Sequence, residues 1–343
     1  MEKLCKYGTN RVITPKGVLP QAATKINNDM AIKDNELLID VITLNIDSAS
    51  FTQIKKACNN DVSLMEDMIL GIVKDRGKMQ NPVTGSGGML IGKVKEVGRL
   101  FPDQTLKTGD KIATLVSLSL TPLVINKIKS INIDNDQVHV VGSAILFETG
   151  IFAKVPLDID EHLVLAALDV AGAPAQVDKL VKEGDSVAII GAAGKSGVLC
   201  AYQAMKKATK TGKVIGVVNE ESQIQALQDL DLCDIVVLAD ATNAIDVYEK
   251  VIEANNGQVD VTINVVNVQN TEMSCILITK DTGTVYFFSM ATSFTKAALG
   301  AEGVGSDVTM IIGNGYTKGH AELTLNLVNS VPKIKALFEK KYT

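Results

Sequence analysis

The stretch that decides the fold runs from Asp185 to Gly197 and reads DSVAIIGAAGKSG. A charged turn leads into an apolar strand, the strand ends in small residues, and the chain continues to Met205 with the pattern of a helix. The spacing of Ala192, Gly194 and Gly197 matches a dinucleotide-binding fingerprint, in which small residues allow a tight turn, close approach of a pyrophosphate and close helix packing. The N-terminus of the helix would hold the phosphate charge.

This turn predicts a cofactor site, although turns of small residues also arise for packing alone. The predicted cofactor-binding residues are Gly191, Ala192, Ala193, Gly194, Lys195, Ser196 and Gly197. Lys195 either contacts the pyrophosphate or is an exposed residue at the start of the helix. The rest of this half of the chain favours the cofactor site, because short β-branched runs alternate with helical stretches at 221–230 and 244–254. The runs lie at 213–218, 234–239, 259–266, 283–289 and 308–312. Such alternation predicts a doubly wound parallel sheet, a Rossmann domain, over residues 155–313.

The composition excludes several classes of partner. The chain has 343 residues and a net charge of −5 without a basic block, which argues against nucleic acid and anionic membrane surfaces. The N-terminus lacks an apolar signal core, and no apolar run approaches the length of a membrane span. The five cysteines are scattered without a CxxC pair, so we expect reduced thiols and a cytoplasmic protein.

The N-terminal half has a different pattern. Short strands punctuated by glycine at 35–45, 87–98 and 107–113 predict an irregular β-barrel, interrupted by one helix at 62–74. The β pattern gives way near 152–157 to a helix at 161–168, for which Asp160 offers an N-cap. We therefore expect a first domain at 1–154, completed by the C-terminal segment 314–343.

Three landmarks carry a resemblance to a known superfamily. Gly92-x-Val94-x-x-Val97-Gly98, the segment 108–112 and the segment 181–187 resemble the medium-chain dehydrogenase/reductase superfamily over nearly the whole chain. The resemblance implies a GroES-like β-barrel that binds substrate, joined to a Rossmann domain. Segments 8–21, 45–51, 76–88 and 191–197 more closely resemble the diaminohexanoate dehydrogenase family of lysine fermentation. That resemblance implies reversible oxidative deamination at C3, which gives 5-amino-3-oxohexanoate and ammonium.

The same resemblance implies that this member binds no zinc. Zinc-dependent members place Cys where this chain has Asp47 and His where it has Gly88, and their third ligand belongs near Asp169. Two carboxylates and a glycine do not make the usual zinc site of nitrogen and sulfur ligands. The closely spaced cysteines of a structural zinc loop are missing, and the three histidines, at 139, 162 and 320, are isolated in the sequence.

Oxidation of an amine calls for a proton acceptor rather than a metal, because the ammonium must first lose a proton. Asp47 is the first candidate for this base, Asp169 the second and Glu148 the third. The alternative for Asp47 is a helix N-cap, and Ser48 could bind substrate or cap the same helix. Arg76 and Lys78 could grip the substrate carboxylate, or could form a solvated turn after the helix at 62–74.

The cofactor is expected to be NAD, with NADP possible. Asn219 and Glu220 follow the second strand of the Rossmann domain, where an acidic residue normally binds the ribose hydroxyls of NAD. A 2′-phosphate would find carboxylates there, whereas Lys210 and Lys213 just before the strand could still favour NADP.

Three classes of function compare as follows. The first is the amino-acid dehydrogenase, acting on a small diamino acid. The second is a zinc-free quinone or enoyl reductase of the same superfamily, whose apolar pocket fits the acidic candidates poorly. The third is an inert dinucleotide-binding protein on this fold. We also expect a homo-oligomer, either a dimer or a tetramer.

Overall fold

A computed structural model of the chain describes residues 4–156, 159–313 and 315–342. The chain divides into two compact units, of which the first ends at Leu165 and the second begins at Ala166. This division lies after the boundary expected from sequence at 154.

The first unit is built on an antiparallel sheet of six strands in the order β6-β7-β3-β4-β5-β8, with a small separate pair, β1 and β2. Its helices are α1 (Ser48–Ala57), α2 (Val62–Arg76) and the start of α3 (Glu161–Leu168). The strands are β1 (Val12–Thr14), β2 (Lys25–Ile26), β3 (Leu37–Ile46), β4 (Gly88–Val97), β5 (Lys111–Thr114), β6 (Leu123–Asn132), β7 (Gln137–Leu146) and β8 (Phe152–Lys154).

The helix α2 packs on this sheet because its apolar residues recur once per turn. Met65, Ile69 and Val73 are buried and join the same core as Leu44 and Leu90 of the two central strands. The helix begins at an N-cap, Asp61, whose carboxylate accepts hydrogen bonds from the backbone of the first turn. The helix predicted at 62–74 is confirmed.

The second unit contains a parallel sheet of six strands in the order β11-β10-β9-β12-β13-β14. The chain leaves β9 towards β10 on one side and returns to β12 on the other, which is the doubly wound arrangement. The strands are β9 (Ser186–Ile190), β10 (Lys213–Val218), β11 (Ile235–Leu238), β12 (Val259–Asn264), β13 (Thr279–Phe287) and β14 (Thr309–Ile312). The helices are α4 (Gly172–Leu180), α5 (Lys195–Ala208), α6 (Glu221–Leu230), α7 (Ala244–Asn255), α8 (Glu272–Ile278), α9 (Phe294–Val304), α10 (His320–Ser330) and α11 (Pro332–Tyr342). The predicted Rossmann sheet is confirmed.

The C-terminal helices belong to this second unit, whereas the sequence suggested that 314–343 completes the first domain. The hydroxyl of Thr324 donates to the Ala171 carbonyl at 3.4 Å, and Lys333 donates to the Asp229 carbonyl at 2.9 Å. Apolar side chains of α10 and α11, among them Val328 and Phe338, are buried. The apolar faces of α10 and α11 are therefore covered within the second unit.

None of the helices in the described residues combines the length and apolar character needed to cross a bilayer.

Candidate active site

The turn between β9 and α5 has the geometry of a phosphate-binding loop. Gly191 has a φ of +87°, which an L side chain rarely adopts, and the N–H groups of Gly191 and Ala192 both donate to the Val217 carbonyl, at 3.0 and 3.2 Å. A side chain at Gly197 would collide with the Gly191 carbonyl. These two glycines are therefore required by the turn and by the packing of α5.

Gly194 differs from them because the protein itself does not require a glycine there. Its φ of −74° and ψ of 170° suit any residue, and an added Cβ would meet only the Gly191 carbonyl oxygen, at 3.4 Å. Gly194 is also the N-cap of α5 and supplies no side-chain cap to the N–H groups of the first turn. The open space beside an uncapped helix N-terminus fits the pyrophosphate of a dinucleotide.

An ion pair lies beside this turn. The ammonium of Lys195, the first residue of α5, is 2.6 Å from a carboxylate oxygen of Asp169, in the turn between α3 and α4. Asp169, expected near the reacting group, is therefore held at the phosphate loop. The sequence allowed two roles for Lys195, a pyrophosphate contact or an exposed residue at the start of the helix. In the structure it begins the helix and is half-buried in this ion pair.

The predicted ribose-binding residues lie at the carboxyl end of β10. Asn219 and Glu220 are both exposed, and Glu220 is the N-cap residue of α6 without a capping hydrogen bond from its side chain. Its carboxylate is thus not used by the helix. Lys213 begins β10 at the opposite end of this strand, roughly 16 Å away, and Lys210 precedes it. Both lysines therefore lie at the opposite end of β10 from Asn219 and Glu220.

Asp47 lies between β3 and α1, and it is the N-cap of α1. Its Oδ1 accepts a hydrogen bond from the Ser50 N–H at 3.0 Å, as the capping alternative predicted. Its Oδ2 is buried and has no hydrogen-bond partner among the described residues. Because a buried carboxylate oxygen left unpaired is costly, this second oxygen needs an explanation that the cap does not supply.

Gly88 lies directly beside Asp47 in the structure. An added Cβ at Gly88 would collide with the Asn45 carbonyl and would lie 2.8 Å from the Asp47 nitrogen, and its φ of +109° also disfavours a side chain. No group of three or more potential ligands able to hold a metal occurs in the described residues.

Ser48 and Arg76 both have partners within the first unit. The Ser48 hydroxyl donates to a carboxylate oxygen of Asp136 at 2.8 Å. Arg76, the last residue of α2, is half-buried and donates to the Gln80 side chain at 3.1 Å. This bond uses one guanidinium nitrogen, Nη1, of the three that can donate.

The structure contradicts both predictions for Lys78, which is neither a substrate contact nor part of a solvated turn. Its side chain is fully buried, and its ammonium donates to the carbonyls of Pro20 and Gln21, at 2.6 and 3.3 Å. The lysine therefore ties the segment after α2 to the segment after β1. Burial, reinforced by the positive charge of Arg76, lowers the pKa of Lys78 from 10.5 to about 8.

This pKa predicts a stability that depends on pH. Below pH 8 Lys78 is protonated in both states, whereas between pH 8 and 10.5 the unfolded chain keeps the proton and the folded chain releases it. The free energy of unfolding therefore gains about 3 kcal/mol from this group as pH rises through that window. Urea unfolding across the window should show this gain in wild type and in Lys56→Met, which alters an exposed lysine, but not in Lys78→Met. Equal pH dependence in all three proteins would contradict the prediction.

The prediction that Glu148 is a candidate for the general base is also wrong, because Glu148 cannot share a site with Asp47. Leu146, two residues before Glu148, pairs with Leu37 at the start of β3, whereas Asp47 follows the end of that strand. A strand of ten residues separates the two carboxylates by roughly 30 Å. Glu148 instead accepts a hydrogen bond from Asn35 at 3.0 Å.

Sequence reasoning missed a cluster of three hydroxyls next to Asp47. The Ser50 hydroxyl is buried and lies 2.6 Å from that of Thr84 and 2.8 Å from that of Ser86. The signal available was the spacing Asp47-x-x-Ser50, which places Ser50 in the first turn of α1, with its backbone N–H bonded to the capping carboxylate. The contacts of Ser50 with Thr84 and Ser86, 34 and 36 residues further along the chain, could not be predicted without the fold.

The comparisons with known proteins agree with this architecture. A family model described as L-erythro-3,5-diaminohexanoate dehydrogenase N-terminal domain matches residues 10–156. An L-erythro-3,5-diaminohexanoate dehydrogenase of Acetoanaerobium sticklandii is 60% identical over 342 residues, 99% of each chain. Another of the same name, from Fusobacterium nucleatum, is 60% identical over 344 residues and covers 100% of each chain. The chain belongs to the L-erythro-3,5-diaminohexanoate dehydrogenase family.

The members of this family are named as dehydrogenases, and the chain is accordingly an oxidoreductase. Solved structures confirm the fold class at low identity. CurK enoyl reductase is 16% identical with a TM-score of 0.56, and covers 96% of this chain and 94% of its own. The alcohol dehydrogenase TADH from Thermus sp. ATN1 is 17% identical with a TM-score of 0.53, and covers 91% of this chain and 87% of its own.

Proposed function

We propose that this chain catalyses the NAD-dependent oxidative deamination of (3S,5S)-3,5-diaminohexanoate to 5-amino-3-oxohexanoate and ammonium. The observation that carries the proposal is the 60% identity, over the full length, to two enzymes that bear this substrate in their name. The quinone or enoyl reductase alternative rests on structures that are 16% identical and that support the fold alone.

The unpaired oxygen of Asp47 supplies the base that this reaction needs. The C3 ammonium must lose a proton before the C3–H bond can deliver its electron pair, and a buried carboxylate oxygen without a partner can accept that proton. The hydrogen bond from Ser50 to the other oxygen fixes the orientation of the carboxylate. When bound, the nicotinamide ring supplies the hydride acceptor, and water then converts the resulting imine into the ketone and ammonium.

The reverse reaction tests the proposal. Wild-type enzyme should oxidise NADH only when ammonium and 5-amino-3-oxohexanoate are both present, because the amine product incorporates the ammonium nitrogen. A quinone and an enoyl thioester serve as controls and should give no oxidation. Oxidation of NADH by either control without ammonium would establish the alternative function, and absence of all turnover would favour the inert protein.

The choice of NAD over NADP rests on the free carboxylate of Glu220. This carboxylate would repel an added 2′-phosphate. The next basic residue in the sequence after Glu220 is Lys250 on α7. Its ammonium already donates to Asp246 and to the Leu238 carbonyl, at 2.9 and 2.8 Å.

We therefore predict that wild type binds NAD more tightly than NADP and that Glu220→Lys shifts the ratio of the two dissociation constants by at least about tenfold towards NADP. Glu183→Lys makes the same charge change in the turn before β9, at the opposite end of the sheet, and should leave the ratio unchanged. Calorimetric titration measures both constants. A wild-type preference for NADP, or equal ratios in the two variants, would refute the ribose assignment.

Three further expectations stay predictions. The enzyme should keep its activity after extended chelation, because Asp47 and Gly88 do not offer the nitrogen and sulfur ligands of the usual zinc site. It should be a homo-oligomer, a dimer or a tetramer, in solution. We also expect it in the cytoplasm.

A further inference from the structure

The pair between Lys195 and Asp169 lies where the proposed cofactor must bind. Lys195 is the first residue of α5, directly after Gly194, and the first turn of this helix contains no acidic residue. A cation at a helix N-terminus is unfavourable unless an anion lies beside it, because the helix dipole is positive there. Asp169 is the anion that the free protein provides, with its oxygen 2.6 Å from the ammonium.

The pair is also easily exchanged. The side chain of Asp169 is 42% exposed and that of Lys195 is 26% exposed, so water and ions screen their attraction. A pyrophosphate at the same helix end offers two negative charges and can accept hydrogen bonds from the ammonium and from backbone N–H groups together. The pyrophosphate would therefore bind the ammonium of Lys195 more strongly than Asp169 does.

We propose that Asp169 and the cofactor pyrophosphate compete for the ammonium of Lys195, so that dinucleotide binding transfers Lys195 from Asp169 to the phosphate. This proposal rests on the proposed function, because it requires a dinucleotide at the turn. Asp169 is here a positioning residue that acts through Lys195. It holds the lysine at the turn in the free protein, and it lowers the affinity for the cofactor because its bond to Lys195 must break.

A lower affinity has a use in turnover. Release of the reduced cofactor limits the rate of many dehydrogenation cycles, and a carboxylate that reclaims the lysine assists that release. The dissociation rate of NADH should accordingly fall in Asp169→Asn.

The test is a double-mutant cycle on ligand binding, with ADP as a probe that carries the pyrophosphate and adenosine as a probe that lacks it. Asp169→Asn should bind ADP about threefold to fivefold more tightly than wild type, which is the size of an exposed ion pair. Lys195→Met should bind ADP about tenfold more weakly. In the Lys195→Met background, Asp169→Asn should bring no tightening, because no lysine remains to be released. Adenosine binding should be equal in all four proteins.

Three outcomes would overturn the proposal. Unchanged or weaker ADP binding by Asp169→Asn would mean that Asp169 does not compete for the lysine. Equal or greater tightening in the Lys195→Met background would mean that Asp169 simply repels the phosphate through space. A change in adenosine binding as large as the change in ADP binding would mean that the effect does not act through the pyrophosphate. If wild type binds neither ADP nor NAD, the proposed function itself fails, which is a result separate from these.

Discussion

Asp47→Asn should lower kcat for diaminohexanoate oxidation by about 10²-fold to 10⁴-fold, the usual contribution of a general base. The dissociation constant for NAD should stay unchanged. Asn is as good an N-cap as Asp, so the variant keeps the hydrogen bond from Ser50 and the start of α1 while it removes the proton acceptor. The loss should be largest near neutral pH and should shrink at high pH, where more of the substrate amine is already neutral.

The matched control is Asp61→Asn, which makes the same change at the N-cap of α2. Asp61 accepts hydrogen bonds from Ser63 and Leu64, so it shares the capping role of Asp47. Its carboxylate oxygens are not among the buried unpaired atoms of the described residues. We expect near-wild-type kcat from this control. A kcat near wild type in Asp47→Asn as well would remove Asp47 from the mechanism.

Gly194→Val should abolish measurable NAD binding while the melting temperature stays close to that of wild type. The backbone of Gly194 already has angles that suit valine, and the protein places only the Gly191 carbonyl oxygen near a Cβ, at 3.4 Å. The branched side chain would fill the space that the pyrophosphate needs. Calorimetric titration and thermal unfolding measure the two effects.

Gly197→Ala provides the contrast, because the crowding there comes from the protein. Alanine normally stabilises a helix relative to glycine, yet here its methyl group would collide with the Gly191 carbonyl. The melting temperature should therefore fall. Should Gly194→Val lose stability to the same extent as Gly197→Ala, Gly194 would be a packing residue and the cofactor assignment would lose its support.

The strands of the Rossmann half could be predicted almost one by one, whereas several of its helices, among them α8 and α9, were not predicted. The central strands β9, β10 and β12 are almost fully buried, so they have continuous apolar sequences. The predicted segments 213–218 and 221–230 coincide with β10 and α6. The first unit was less readable. The hairpin of β6 and β7 was missed because β6 alternates irregularly between exposed and buried residues and its pairing includes register shifts.

The site was only partly readable for a different reason. The fingerprint at 191–197 and the cap at Asp47 are local patterns, which a sequence shows directly. The partners of Lys78 lie 58 and 57 residues away, and the pair between Lys195 and Asp169 spans 26 residues. Contacts of this kind depend on tertiary packing, and they decided that Lys78 is structural and that Asp169 lies at the phosphate turn.

The stoichiometry of the forward reaction tests the central claim most directly. Wild-type enzyme is incubated with (3S,5S)-3,5-diaminohexanoate and NAD, and NADH and ammonium are measured in the same sample. Oxidative deamination predicts one ammonium released for each NADH formed, with both products lost together in Asp47→Asn. Formation of NADH without ammonium, or release of ammonium without NADH, would contradict the account.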